Sequence, residues 1–292
     1  MKTIGVVSPS SAVDESAVAE AAVFWKSRGF DVKFAPHLYD KHRFLAGTDA
    51  DRAADLTAMF VDGDVDVIFA AGGGYGSARL LKTLDYDLIA RHKKPFVGLS
   101  DTTAVQLALY ARSGVPCFTG YLMKPRHGRA MFPYTDASLD DCLNGREQTV
   151  SGLESDFSGT VGGTLVGGCL SLIVGLSGTP YMPDVTGAVW VLEDVGEEPY
   201  AIDRMMTHLD NAGVFGKAAA VVFGVFTDCK AKDPADGTVD DVLNEWKNRL
   251  KIPVFTGFPY GHQAGSVVFP IGGTAVLTAN TIRMEGMEGM NG

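Results

Sequence analysis

Over roughly the first 120 positions, apolar runs alternate with segments whose apolar residues recur at helical spacing. Ile4–Val7, Val32–Ala35, Val65–Ala70 and Pro95–Leu99 predict strands, and Asp14–Arg28, Asp49–Phe60, Ser77–Leu84 and Thr102–Tyr110 predict helices. Strict alternation of this kind builds a parallel sheet with helices on both faces, and such sheets bind ligands at the carboxyl ends of their strands. Between Tyr121 and Gly163 the periodicity gives way to Pro125, Arg126, His127, Gly128, Pro133, Gly152, Ser155 and Gly159, a loop and linker composition.

Beyond it, Val189–Leu192, Ala219–Phe226, Val254–Phe255, Thr274–Thr278 and Thr281–Met284 predict strands. Leu170–Gly175, Ile202–Leu209 and Thr238–Leu250 predict helices, the last opened by a capping-box-like Thr238 and Asp241. The expected fold class is α/β, with a three-layer parallel-sheet domain over residues 1–150 and a mixed α+β domain over 151–292. From Glu285 the tail has no core pattern and is expected to fray.

Composition narrows the partners. A chain of 292 residues at about 150 per domain suggests two domains, and 46% hydrophobic residues suffice for full cores. The net charge of −10, with no cluster of basic residues, disfavours nucleic acid and anionic membranes and favours a small molecule or peptide. No run approaches the roughly 18 apolar residues of a membrane span, and the apolar stretch near Met1 is too short for a secretory leader. Cys117, Cys142, Cys169 and Cys229 lie far apart without a Cys-x-x-Cys pair, so neither a zinc site nor a disulfide framework is indicated and a reducing cytoplasm fits best.

Candidate chemistry begins at Ser100, in the turn between the Pro95–Leu99 strand and the following helix. A sharp strand-to-helix turn lifts a serine hydroxyl above the sheet edge, and the next amide, that of Asp101, points to where an oxyanion can form. Taken alone, Ser-Asp-Thr at a helix start is more often a plain capping cluster. The turn Gly72-Gly-Gly-Tyr-Gly-Ser77 lacks the third glycine of a dinucleotide site, and no phosphate-binding Gly-x-x-x-x-Gly-Lys motif occurs. Its glycines could instead supply a second backbone donor, or form a tight turn with no ligand. A serine needs a base. Among six histidines, His37, His42 and His92 read as solvated, His208 as packed or capping, His127 as a loop residue, and His262 as exposed and positioned in a turn-rich segment. Glu193, with Asp194 behind it, ends an apolar strand where a carboxylate can orient an imidazole.

These segments together resemble the LD-carboxypeptidase family, whose relatives include the microcin C self-immunity proteins. The resemblance covers nearly the whole chain and rests on Gly73-Gly-Tyr-Gly-Ser77 with Arg79, Gly98-Leu-Ser-Asp-Thr102, Gly167-Gly-Cys-Leu-Ser171 with Gly178-Thr-Pro-Tyr181, Leu192-Glu-Asp-Val-Gly196 with Tyr200-Ala-Ile-Asp-Arg204, and Phe258-Pro-Tyr-Gly-His262. It implies a Ser100–Glu193–His262 triad split between an N-terminal α/β domain and a smaller, swivelling-type C-terminal domain, commonly in a homodimer. The backbone of Asp101 and of the Gly73-Gly74 turn, Gly74 in particular, would form the oxyanion hole.

The implied reaction is metal-independent, cofactor-free release of a terminal D-amino acid from a muropeptide. Hydrolysis of an aminoacyl-nucleotide amide, or binding without turnover, are the alternatives. Arg79, Arg204 and Lys124 are candidates for the substrate carboxylate by charge alone. Aromatic stacking, if a nucleotide bound, would fall to Tyr121, Phe132 or Tyr134. Two positions depart from the family pattern: Gln263 replaces the usual glycine after the histidine, and Cys169 stands where asparagine is frequent.

Overall fold

The computed structural model describes residues 2–123 and 132–287. Lys124, His127 and the end of the tail lie outside the described residues.

In chain order the first half contains β1 (Thr3–Val7), α1 (Glu15–Ser27), β2 (Asp31–Phe34), α2 (Asp49–Val61), β3 (Val67–Ala70), α3 (Tyr86–Arg91), β4 (Phe96–Gly98), α4 (Thr103–Ser113), β5 (Cys117–Thr119) and α5 (Pro133–Leu143). The second half contains β6 (Gln148–Ser151), β7 (Val161–Cys169), α6 (Leu170–Leu176), β8 (Ala188–Val195), α7 (Pro199–Asn211), β9 (Ala220–Thr227), α8 (Val239–Arg249), β10 (Val254–Phe255), β11 (Phe269–Ile271), β12 (Thr274–Leu277) and β13 (Thr281–Glu285).

Two sheets result, ordered β11-β5-β4-β3-β1-β2 and β10-β9-β8-β7-β12-β13-β6. In the first, β1 to β5 are parallel and β11 joins β5 antiparallel. Residue alternation splits its side chains between two faces. Ile4, Val6, Phe69 and Phe118 pack with Trp25 of α1 and Leu139 of α5, whereas Ile68, Ala70 and Phe96 pack with Leu56 and Phe60 of α2 and with α4. This is the three-layer arrangement that the alternating pattern predicts.

The second cluster continues without a break into Leu165, Val189, Trp190 and Val191 of the other sheet. Helix α4 lies in this shared core and is buried at every position from Thr103 to Leu109. A helix apolar all round is stable only when covered on all sides, so the helix that follows Ser100 is fixed by both sheets. Truncating Leu107, fully buried there, is expected to cost about 2–5 kcal/mol.

Three expectations need correction. Ser77–Leu84 is not a helix: only Ser77–Leu80 forms a 3₁₀ turn, after which Leu80 O accepts from Thr83 N at 2.8 Å in a further tight turn and Leu81 O accepts from the Tyr86 hydroxyl at 2.9 Å, and helical backbone restarts at α3 with Asp85 as N-cap. The loop reading of 121–163 misses α5, β6 and the start of β7, whose strand is rich in glycine. Finally, β11 carries the chain back to the first sheet, so the segment between β10 and β11 bridges the two sheets.

Candidate active site

Ser100 follows the extended Leu99 at the carboxyl end of β4 and takes φ +68°, a left-handed backbone conformation that costs a side-chain-bearing residue about 1–2 kcal/mol. It opens a 3₁₀ turn over Ser100–Thr102 that leads into α4. No side chain caps either element at its start, and Thr102 Oγ1 donates instead to Leu99 O at 2.9 Å. The hydroxyl of Ser100 is therefore not used as a helix cap. It is half-buried on the wall of a cavity of about 730 Å³ that His262, Gly73 and Gly74 also line.

The glycine turn meets the serine at van der Waals range. A Cβ on Gly73 would fall 2.9 Å from Ser100 Cβ, so no larger residue fits without displacing the elbow. Ser11 holds one side of the turn, its N–H donating to Gly73 O at 3.2 Å and its Oγ accepting from Tyr75 N at 3.1 Å. The carboxylate of Asp101 holds the other side, accepting from Gly76 N at 3.1 Å, Ser77 N at 2.8 Å and Ser10 Oγ at 2.6 Å. Ser77 Oγ donates to Asp101 O at 2.5 Å, and buried Arg52 Nη1 donates to Gly76 O at 3.0 Å. The amides of Tyr75, Gly76 and Ser77 are thus consumed, while those of Gly73 and Gly74 donate to no acceptor among the described residues. Asp101 is the second residue of the 3₁₀ turn, where an amide has no intrahelical acceptor. Left-over amides beside a strained serine are what stabilisation of an oxyanion needs.

Glu193 comes from the sixth position of β8, fully buried, and its Oε2 accepts from His262 Nδ1 at 2.7 Å. Burial pushes the Glu193 carboxyl above the usual carboxylate range, against the opposing pull of His262. The His262 segment is set by its neighbours: Val225 N donates to Tyr260 O at 2.8 Å, Tyr260 OH and Thr119 Oγ1 share a hydrogen bond of 2.8 Å, and Gly261 N donates to Ser266 Oγ at 3.1 Å. Cys169 pairs with Glu193 in the β7–β8 register, and Cys169 N donates to Thr103 Oγ1 at 3.1 Å. That bond ties the strand beside Glu193 to the helix that begins three residues after Ser100.

Asp194 has a different task. Its Oδ2 accepts from Ser171 N in the first turn of α6 at 2.8 Å, and its Oδ1 accepts from Val195 N at 2.8 Å and Cys169 Sγ at 3.3 Å. Burial, with Asp194 and Glu193 alongside, holds the Cys169 thiol well above its ordinary value, as expected of an unreactive cysteine.

The candidate carboxylate binders are less well placed. Arg79 is engaged by Asp49, its Nε at 2.9 Å from Oδ1 and its Nη2 at 2.7 Å from Oδ2, and Arg204 lies over the Tyr200 ring at 5.6 Å. Neither lines the cavity. Tyr121 and Phe132 do line it, as does Gln263, while Tyr134 stands outside its wall. His37 is taken up by Asp55, with Nδ1 at 2.9 Å from Oδ1. Sequence reasoning missed the carboxylate of Asp101, Thr103, Tyr260 and Ser266. The Ser10-Ser11 pair facing a glycine turn was the available signal for Asp101, and the others had none.

Comparison with known proteins gives the following. Family models described as the LD-carboxypeptidase N-terminal domain and the LD-carboxypeptidase C-terminal domain match residues 4–120 and 162–277. A probable murein peptide carboxypeptidase of Bacillus subtilis is 34% identical over 281 residues, covering 94% of this chain and 88% of the relative. The crystal structure of muramoyltetrapeptide carboxypeptidase from Oxalobacter formigenes is 33% identical, with a TM-score of 0.90 over 98% of this chain and 99% of that one. An MccF-like protein from Bacillus anthracis superposes with a TM-score of 0.87 at 26% identity, covering 98% and 97% of the two chains.

Proposed function

The chain belongs to the LD-carboxypeptidase family, and from that premise we propose that Ser100, Glu193 and His262 form a serine-peptidase triad that releases the terminal D-amino acid of a murein tetrapeptide. The observation that carries this reading is the convergence on one cavity of a strained serine, the unused amides of Gly73 and Gly74, and an imidazole held by a buried carboxylate.

His262 Nε2 takes the proton from Ser100 Oγ as Oγ attacks the carbonyl of the diamino acid. The N–H groups of Asp101 and Gly74 receive the tetrahedral oxyanion, with Gly73 beside them. Glu193 balances the charge of the imidazolium and fixes its ring through Nδ1. His262 then gives the proton to the leaving amine, the C–N bond breaks, and the D-amino acid departs. Water activated by His262 hydrolyses the ester on Ser100 and returns the tripeptide carboxylate.

The test is incubation with a murein tetrapeptide and mass-spectrometric detection of released D-alanine. The wild type should release it and Ser100→Ala should not. Ligand affinity without turnover would instead support the binding-protein alternative.

A second reading, hydrolysis of an aminoacyl-nucleotide amide, is favoured by Tyr121 and Phe132 on the cavity wall. Faster cleavage of such an amide than of the tetrapeptide would select it. Lys124 remains a candidate for the substrate carboxylate. A homodimer in the cytoplasm completes the reading: all four cysteines are buried free thiols, which fits a reducing compartment, and sedimentation velocity tests the assembly. No helix among the described residues is long and apolar enough to cross a membrane.

A further inference from the structure

Helix α1 borders the same cavity with Glu20, Ala21 and Phe24. Among the described lining residues Glu20 is the one carboxylate, and no Lys or Arg joins it there. Glu193 is not part of this wall; it lies behind His262. The positions three and four residues from Glu20 along α1 are Ser16, Ala17, Val23 and Phe24, so no cation stands at helical spacing from it. None of the ion pairs among the described residues includes Glu20.

Glu20 is exposed where α1 borders the cavity, and a ligand that fills the cavity covers part of this carboxylate and displaces water from it. Desolvating an unpaired charge is unfavourable unless the ligand brings the opposite charge. Resting on the carboxypeptidase reading, we propose that Glu20 is a specificity-determining residue that pairs with the side-chain ammonium of the substrate's diamino acid. Phe24 and Leu122 provide apolar contact for the methylene stem that carries the ammonium. The same carboxylate repels the substrate's terminal carboxylate, so the peptide is oriented with its amine toward α1 and its free terminus away from it. Glu20 takes no part in proton transfer; its effect is on binding.

The experiment is calorimetric binding of two murein tetrapeptides, one with the side-chain amine free and one with that amine acetylated, to Ser100→Ala and to Ser100→Ala with Glu20→Gln. Glu20→Gln should weaken binding of the free-amine peptide about tenfold, the scale of one charge-assisted pair, and change binding of the acetylated peptide less than about twofold. Turnover by chains that retain Ser100 should show the matching split, with KM raised by Glu20→Gln for the free-amine peptide only and kcat unchanged. Equal weakening of both peptides, or no weakening of either, overturns the proposal. Failure of the wild type to release D-alanine would count against the carboxypeptidase reading alone, because the binding comparison does not depend on turnover.

Discussion

Glu193 and Asp194 are consecutive on β8, yet their carboxylates serve different partners: Glu193 Oε2 meets His262 Nδ1 at 2.7 Å, and Asp194 Oδ2 meets Ser171 N at 2.8 Å. Successive strand residues point to opposite faces, so one strand end can serve a candidate catalytic imidazole and a helix N-terminus at once. Glu193→Gln keeps the shape but removes the counter-charge of an imidazolium. It should lower kcat by about 10³–10⁴-fold with little loss of Tm. Asp194→Asn cannot accept from Ser171, Val195 and Cys169 as the carboxylate does, and should cost about 1–3 kcal/mol of stability while retaining most of kcat. Steady-state kinetics paired with thermal melting separates the two, and the reverse pattern would exchange their roles.

The pH dependence follows from the same burial. Glu193 is raised in the folded chain, whereas the unfolded chain ionises near the ordinary glutamate value of about 4.3. Between those two values the native state binds more protons, so the stability contributed by this group is present below the ordinary value and is lost as pH rises through the raised one. On acidification, the unfolding free energy of the wild type relative to Glu193→Gln should therefore increase, while kcat/KM falls as the imidazolium loses its partner. Melting curves and rates recorded from about pH 4 to pH 8 check both signs. A wild-type to variant difference in Tm that does not vary with pH would contradict the raised carboxyl.

Ser100 stores backbone strain at φ +68°. Glycine relieves that strain and alanine does not, so Ser100→Gly should be about 1 kcal/mol more stable than Ser100→Ala. Both should lack activity. Denaturant unfolding and D-alanine release together measure this trade, and wild-type rates in either variant would remove Ser100 from the mechanism.

The legible parts of the chain were those whose burial is one-sided and periodic. Strands such as Ile4–Val7 and helices such as Asp49–Phe60 are readable because their apolar residues repeat at the period of the element. β7 was illegible because Gly162, Gly163, Gly167 and Gly168 take four of its nine positions and interrupt the alternation of its side chains; at Gly163, for example, the partner backbone of Gly187 approaches where a Cβ would lie. α5 was illegible because its polar residues outnumber the few, such as Leu139 and Cys142, that enter the core. In the candidate site, Ser100, Glu193 and His262 were each weak signals, and the family resemblance joined them. Their supports, Asp101, Thr103 and Tyr260, depend on partners 24 to 141 positions away, a relation that no local spacing encodes.

Asp101 provides the most discriminating test of how the glycine turn works. Its carboxylate accepts from Ser10, Gly76 and Ser77, so it fixes the far end of the turn whose Gly73 and Gly74 amides remain available, while its own amide is a candidate donor next to Ser100. Asp101→Asn keeps the backbone amide but places an NH₂ group where an acceptor is needed, so the turn should shift away from the serine. Loss of an aligned oxyanion donor typically lowers kcat by about 10²–10³-fold. The expected signature is a fall in kcat of about a hundredfold with KM nearly unchanged, because the alignment matters most to the charge that develops in the transition state. A general loosening of the fold would instead raise KM and lower Tm together. Ser77→Ala provides the control: it removes the hydroxyl that donates to Asp101 O but leaves the carboxylate's own acceptor bonds in place, and should reduce kcat less than about tenfold. Equal effects of the two substitutions would mean that the turn is held by packing and not by the Asp101 carboxylate.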